Sequence, residues 1–219
     1  MRQSGIDLSS ECTLAERSCI MDAIKTIKDG GNFLEIGTAA GGTLKEIIQT
    51  VDRAKLDATF YVLDPFTYYP DQLKKVHKNL SNSNIDPSRV TFWEGTTDSH
   101  LTKALEDGLN FKFIFIDGDH KAYPVMNDLR WMELLEVGGV ACFHDYCDKF
   151  PGVAWSLDHF LSRNDQFSTI LWAETLRVIK RNGENIVAVN GVDLLKSKFM
   201  QVFLRLRRSI KKRLAKERQ

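Results

Sequence analysis

The chain has 219 residues, 43% of them hydrophobic, enough to bury one good core and to make a single domain the expected count. No stretch approaches the roughly 20 apolar residues of a membrane span, and the N-terminus, MRQSGIDLSSEC, lacks the apolar core of a signal peptide. The net charge of +1 hides an asymmetry: nine Lys/Arg and one Glu lie between Lys198 and Gln219, against 21 basic and 28 acidic residues elsewhere. Cys12, Cys19, Cys142 and Cys147 form neither a CxxC pair nor a dense framework, so free thiols in a reducing cytoplasm are expected.

In chain order, residues 11–28 place Leu14, Cys19, Ile20, Ala23, Ile24 and Ile27 on one helical face, and Asp29-Gly30-Gly31 stops that helix. Asn32–Ile36 reads as a buried strand running into Gly37, and a helix follows from Thr43 to about Arg53. Phe60–Leu63 is a second strand, ending in Asp64-Pro65. Residues 71–80 are helical in pattern, with Pro70 at the start. Val90–Trp93 is a third strand closed by Glu94-Gly95, with a short helix at 98–107. Phe111–Ile116, the most hydrophobic run, is the expected centre of the sheet and ends in Asp117-Gly-Asp-His120. A helix is expected over 122–136. Gly138-Gly139 then turns into a fifth strand, Val140–Phe143, which ends in His144-Asp145-Tyr146. After a helix near 153–162 come two β-rich runs, 167–172 and 175–180; Asn182-Gly183 offers a hairpin turn into 186–189, which leaves the end of the sheet open.

Strands alternating with helices imply a parallel sheet covered on both faces. Ligands bind such sheets beyond the carboxyl ends of the strands, where Glu35, Asp64, Glu94, Asp117, His120, His144 and Asp145 collect. The spacing Gly37-x-x-x-Gly41-Gly42 is neither the G-x-G-x-x-G dinucleotide fingerprint nor a phosphate loop. A carboxylate at Glu35 would repel a pyrophosphate and attract an ammonium or sulfonium. Asp64 suits the two hydroxyls of a ribose, or simply caps the segment after its strand. Asp117, His144 and Asp145 could together hold a divalent cation, and His120 could take a proton from a hydroxyl. Helix capping by Asp117 or Asp119, and a packed, hydrogen-bonded His144, are the structural alternatives.

Phe33-Leu-Glu-Ile-Gly-Thr-Ala-Ala-Gly-Gly-Thr, Val62-Leu-Asp, Phe113-Ile-Phe-Ile-Asp-Gly-Asp-His and Gly138-Gly-Val-Ala-Cys-Phe-His-Asp-Tyr closely resemble the class I S-adenosylmethionine-dependent methyltransferases. The branch they resemble comprises small-molecule O-methyltransferases related to macrolide and aminocoumarin sugar methyltransferases and to cephalosporin hydroxylase-like proteins. The resemblance, over about residues 30–180, implies an α/β, Rossmann-like fold: a seven-stranded, mostly parallel sheet with helices on both faces and the last strand antiparallel. It implies that Glu35, Gly37, Thr38 and the turn to Gly41 cradle the methionine part of S-adenosyl-L-methionine, that Asp64 binds its ribose, and that Gly95 and Thr96 lie near the adenine. Asp117 would sit beside the methyl group as cofactor contact and metal ligand, His120 would be the general base, and His144 and Asp145 match the end of the strand that completes a Mg²⁺ site in related enzymes. An imidazole is a poorer Mg²⁺ ligand than oxygen, so Asp145 alone beside Asp117, a different divalent cation, or a metal-free site all remain open. The expected reaction is methyl transfer to a hydroxyl of a small molecule or saccharide. A nicotinamide-dependent oxidoreductase and a non-catalytic module that binds the same cofactor are the rival readings.

The chain thus divides into an N-terminal helical cap (1–30), a methyltransferase-like domain (31–192) and a basic amphipathic helix (193–219). In that helix Phe199, Val202, Phe203, Leu206, Ile210 and Leu214 follow helical spacing among eight Arg and Lys residues beyond Phe203. It could dock on its own domain, on a second copy in a homo-oligomer, or on an anionic membrane as a peripheral contact; nucleic acid is the less favoured partner.

Overall fold

The computed structural model describes residues 10–216. Fourteen elements follow in order: α1 (Leu14–Lys25), β1 (Gly31–Ile36), α2 (Gly42–Ala54), β2 (Ala58–Asp64), α3 (Gln72–Asn82), β3 (Val90–Glu94), α4 (Thr97–Glu106), β4 (Phe111–Ile116), α5 (Ala122–Asp128), β5 (Leu135–Phe143), α6 (Pro151–Leu161), β6 (Phe167–Ala173), β7 (Leu176–Arg181) and α7 (Gly191–Lys216). The sheet has seven strands in the order β3-β2-β1-β4-β5-β7-β6, and only β7 runs against the others, pairing antiparallel with both β5 and β6. The expected mostly parallel sheet with an antiparallel last strand is therefore the fold of the chain.

Side-chain alternation along the central strand builds two cores. Phe113 and Phe115 of β4 face one layer, with Ile24 of α1, Ile48 of α2 and Val76 of α3. Ile114 and Ile116 face the other, with Leu101 of α4, Met126 of α5 and Leu157 of α6. Both faces of β4 are fully buried, which is why its sequence is a continuous apolar run rather than an alternating one.

One local expectation is corrected, and the end of the sheet, left open by the sequence, is decided. The helix foreseen over 122–136 ends at Asp128; a 3-10 turn, Leu129–Leu134, leads directly into β5. Gly138, at φ +84°, is folded into a bulge of that strand, where the register jumps from Phe111↔Leu135 to Phe113↔Val140. The hairpin lies at Glu174-Thr175, between β6 and β7, with Glu174 at φ +48°. Among the described residues no strand follows Asn182-Gly183. Arg181 is buried, and its guanidinium donates to the carbonyls of Leu135 (2.5 Å), Gly183 (3.0 Å) and Glu184 (2.7 Å), giving that loop the partners a hairpin would have supplied.

The chain leaves β1 toward β2 and β3, then returns to β4 on the other side. The break between β1 and β4 is the point where ligands bind in open sheets of this kind. In-register pairing, Ile36↔Leu63, Ile36↔Ile116 and Ile116↔Phe143, brings Gly37, Asp64, Asp117 and His144 to one rim.

Candidate active site

The rim opens into a cavity of about 700 Å³. Its walls come from the turn after β1 (Gly37, Ala39), the end of β2 (Asp64, Pro65, Thr67, Tyr68), the start of α4 (Gly95 to Asp98), the turn after β4 (Asp117 to His120) and α5 (Tyr123, Pro124, Asn127, Asp128). Six acids line it: Glu11, Asp64, Asp98, Asp117, Asp119 and Asp128. A cavity of this size and sign suits a cationic small molecule.

The glycine turn is shaped for close approach. Gly37 sits at φ +83°, and a Cβ there would lie 2.4 Å from the carbonyl oxygen of Asp117. Asp64 locks this turn from the neighbouring strand. Its Oδ2 accepts the Thr38 N–H at 2.9 Å, while its Oδ1 accepts the Phe66 N–H at 2.6 Å and Gln72 Nε2 at 3.2 Å. Gln72 also donates to the carbonyl of Ala39, tying α3 to the same loop. Behind the turn, Glu35 is buried with both carboxylate oxygens unpartnered, and Thr38 Oγ1 is unpartnered as well. Burial pushes the Glu35 carboxyl up to about 8, and the Asp117 and Asp64 carboxylates add to that rise. Gly95 and Thr96 line the far wall. Beside them Asp128 is buried against the Thr97 hydroxyl, and burial first, then Asp119 and Asp98, raises its carboxyl to about 7.

At the other end of the rim Asp117, His120 and Asp145 come together, their ligand atoms within 4.8 Å of one another. His120 Nε2 is 2.8 Å from Asp145 Oδ2 and 3.9 Å from Asp117 Oδ1. These two carboxylates raise the His120 imidazole to about 9, against the opposing effect of burial. Asp145 occupies the left-handed region at φ +60°, a conformation uncommon outside glycine that carries its carboxylate back toward His120. The Phe150 ring packs on the imidazole with centroids 4.3 Å apart.

His144 lies beside both carboxylates foreseen with it: its Nδ1 is 3.7 Å from Asp145 Oδ2 as well as close to Asp117. Its Nδ1 is 3.0 Å from Asp117 Oδ1, and its Nε2 points away from the cavity to Glu16 Oε2 at 3.2 Å. Burial would lower its pKa, but Asp117 outweighs this and the imidazole is pushed up to about 12. His144 is thus a buried imidazolium with both nitrogens committed to carboxylates. His120 shares the same two carboxylates from the cavity side.

Glu16 is the residue that sequence reasoning missed. It closes the capping box of α1: Thr13 N–H donates to Glu16 Oε2 at 2.9 Å, and Glu16 N–H donates to Thr13 Oγ1 at 3.2 Å. The same carboxylate accepts from the Thr175 N–H at 3.0 Å and the Thr175 hydroxyl at 2.5 Å. The Thr-x-x-Glu spacing was available as a capping signal, whereas the contact with His144, 128 positions away, was not. Among the aromatics around the rim, Tyr68 lines the cavity and Phe150 covers His120. Phe66 packs against Phe92, Trp155 stacks on His159, and Tyr146 lies under Arg177.

Comparison with known proteins agrees with this layout. An uncharacterised protein, R132 of Acanthamoeba polyphaga mimivirus, is 31% identical over 124 residues, 55% of this chain and 54% of that protein. The chain thus spans about half the length of the curated relative it matches. Among solved structures, the TDP-rhamnose 3'-O-methyltransferase CalS11 of calicheamicin biosynthesis superposes with a TM-score of 0.60 at 14% identity, over 74% of this chain and 76% of that one. The O-methyltransferase NovP follows at 0.55 and 20%, over 77% and 78%. TomG from Streptomyces achromogenes, an O-methyltransferase of tomaymycin synthesis solved with S-adenosylmethionine, gives 0.60 at 14%, over 78% and 82%. At these identities the likeness is one of fold. The family model for a methyltransferase domain matches residues 34–146, from the strand before the glycine turn to the residue after Asp145. That segment contains the turn, the Asp64 lock and the whole Asp117–His120–Asp145 group, and by it the chain belongs to the methyltransferase domain family.

Proposed function

We propose that this chain is an S-adenosylmethionine-dependent O-methyltransferase acting on a hydroxyl of a small molecule or saccharide. The observation that carries this reading is the pairing of two features on one rim: a glycine turn backed by the orphaned carboxylate of Glu35, and a histidine held between two carboxylates across the cavity.

The residues suit the cofactor. S-adenosylmethionine carries an ammonium and a sulfonium, and when bound it supplies a methyl group on positively charged sulfur. Glu35 and Thr38 have unmet hydrogen-bonding capacity behind the turn, and the acidic walls complement positive charge. Asp64 already accepts three hydrogen bonds, so Oδ2, which takes only the Thr38 N–H, is the oxygen with room for a ribose hydroxyl. Gly95, Thr96 and the raised carboxyl of Asp128 form the wall suited to the adenine.

The work of the chain is to orient the acceptor hydroxyl and remove its proton. His120 reaches the cavity and is the group placed to take that proton. In the described state Asp117 and Asp145 hold it as an imidazolium near neutral pH, so it acts as a base only once its own proton has left. Asp117 and Asp145 offer oxygen ligands that suit a divalent cation such as Mg²⁺, with His120 as a nitrogen donor beside them. Such an ion would supply Lewis acidity to the acceptor hydroxyl. Phe150 and Tyr68 give apolar surface on which a sugar or aryl ring can rest.

Calorimetry with S-adenosylmethionine, followed by isotope-labelled methyl transfer to sugars and phenols with and without Mg²⁺, tests this reading. Binding and transfer to a hydroxyl are expected, with His120→Gln keeping affinity and slowing transfer. No cofactor binding, or unchanged single-turnover transfer by His120→Gln, would refute it.

A further inference from the structure

Helix α7 docks on the domain through the wrong face for its own hydrophobicity. The residues it covers fully are polar, Asp193 and Ser197; Gln201, Met200 and Leu204 are half-buried, and Leu194 packs against the core. Asp193 is held by His159 of α6 at 2.9 Å and by Arg163, and Gln201 Oε1 accepts the Tyr123 N–H of α5 at 3.2 Å. Lys198 Nζ lies 4.7 Å from the centre of the Tyr123 ring. Most of its large apolar residues point elsewhere. Val192, Leu195, Phe199, Phe203, Leu206 and Ile210 are all more than half exposed, Phe199 at 69% and Phe203 at 56%. At about 100° per residue these six positions, with Val202, fall in an arc of roughly 100° almost opposite the docked face.

Cations flank this stripe. Lys196 and Arg207 project on one side of it, Lys198 and Arg205 on the other, and Arg213 lies at its distal end; all five are exposed. From Val192 to Ile210 the stripe is about 27 Å long, far beyond a scattered surface residue. No described helix is long and apolar enough to cross a membrane, so a helix of this kind is built to lie on a surface. Pairing of two such stripes would bring like-charged rows together, which disfavours a second copy as the occupant. The body of the chain is acidic by seven charges while the segment from Lys198 onward is basic by eight, so the attraction to an anionic surface is confined to this helix.

We infer that the exposed face of α7 docks on an anionic lipid bilayer, with the apolar stripe at the headgroup boundary and the flanking Arg and Lys on lipid phosphates and carboxylates. Because α7 holds Tyr123, a residue of the cavity wall, this contact ties the cavity to the membrane surface. The surface was foreseen from sequence only as one of three destinations. The buried polar face separates them, because docking on its own domain uses the side that the stripe does not occupy.

The test is flotation of the full-length protein with vesicles of phosphatidylcholine alone or with about 30% phosphatidylserine, at low and high salt. Binding is expected to be at least roughly tenfold stronger to the anionic vesicles and to weaken with salt. Phe199→Ser/Phe203→Ser and Arg205→Glu/Arg207→Glu should each abolish flotation while circular dichroism and thermal unfolding stay as in the parent, since all four side chains are exposed. No flotation with anionic vesicles would overturn the inference. So would flotation lost on charge reversal but untouched by the phenylalanine changes, which is binding to any polyanion. A concentration-dependent dimer that dissociates in the phenylalanine variant would assign the stripe to a second copy instead.

Discussion

Replacing Glu16 with Gln tests whether α1 is part of the site's support. The carboxylate accepts four hydrogen bonds: from Thr175 N–H and hydroxyl on Oε1, and from Thr13 N–H and His144 on Oε2. An amide of the same shape must turn its NH₂ toward one of these pairs, and each pair contains a backbone N–H that cannot accept. At least one buried donor is left unpaired, and His144 loses a charged partner. Burial works against the Glu16 charge, yet Thr175, Thr13 and His144 hold its carboxyl at about 2, below the ordinary 4.5. That difference corresponds to about 3 kcal/mol in full; the amide keeps part of the hydrogen bonding, which leaves a working figure of about 2 kcal/mol. Because the folded pKa is depressed, this stability is complete above pH 4.5 and is lost as the pH falls toward about 2. Calorimetric unfolding of Glu16→Gln should show Tm lower by about 4–8 °C at neutral pH. The deficit should shrink on acidification through that window. A Tm within about 1 °C of the parent, or a deficit independent of pH down to about 2, would refute the reasoning.

Gly37→Ala places a methyl group 2.4 Å from the Asp117 carbonyl at φ +83°, so it should abolish cofactor binding and cost at least about 1–3 kcal/mol of stability, read by calorimetry and denaturant unfolding. Asp64→Asn turns one acceptor into a donor facing Thr38 and Phe66 N–H groups; cofactor affinity should fall roughly tenfold or more, and equal affinity would separate Asp64 from the binding turn. In the metal-free protein, transfer should rise with pH toward the His120 value of about 9, since only the neutral imidazole accepts a proton. Asp145→Asn, which tolerates the left-handed backbone, should move that limb to lower pH, and a profile identical to the parent's would remove Asp145 from control of His120.

How much could be read in the residues themselves follows from the reach of each interaction. The alternation of apolar runs with amphipathic helices determined the sheet and its covering, because parallel strands need crossover helices and both faces must then be buried. The same constraint sent the ends of β1, β2, β4 and β5 to one rim, so Glu35, Asp64, Asp117, His120 and Asp145 were legible as a group before any coordinate. The glycine turn was legible because only glycine meets φ +83° against a neighbouring backbone without strain. Periodicity also located α7 and its apolar stripe, since that is a property of one helix alone.

Tertiary structure decided what each charged group faces. His144 is adjacent to Asp145 in sequence, yet its second nitrogen belongs to Glu16 on the first helix, 128 positions away. His120 is paired with Asp145 rather than left as a neutral base, because a positive φ at Asp145 turns that carboxylate inward. The hairpin formed at Glu174-Thr175, not at Asn182-Gly183, where Arg181 instead bonds the carbonyls of Gly183 and Glu184. The face that α7 buries was chosen by Asp193 and Gln201 meeting partners on α5 and α6. Periodicity and turn chemistry act within one turn of a helix or one strand and are written in local sequence. The protonation of a histidine and the choice between two faces depend on groups that only the folded chain brings within hydrogen-bonding distance.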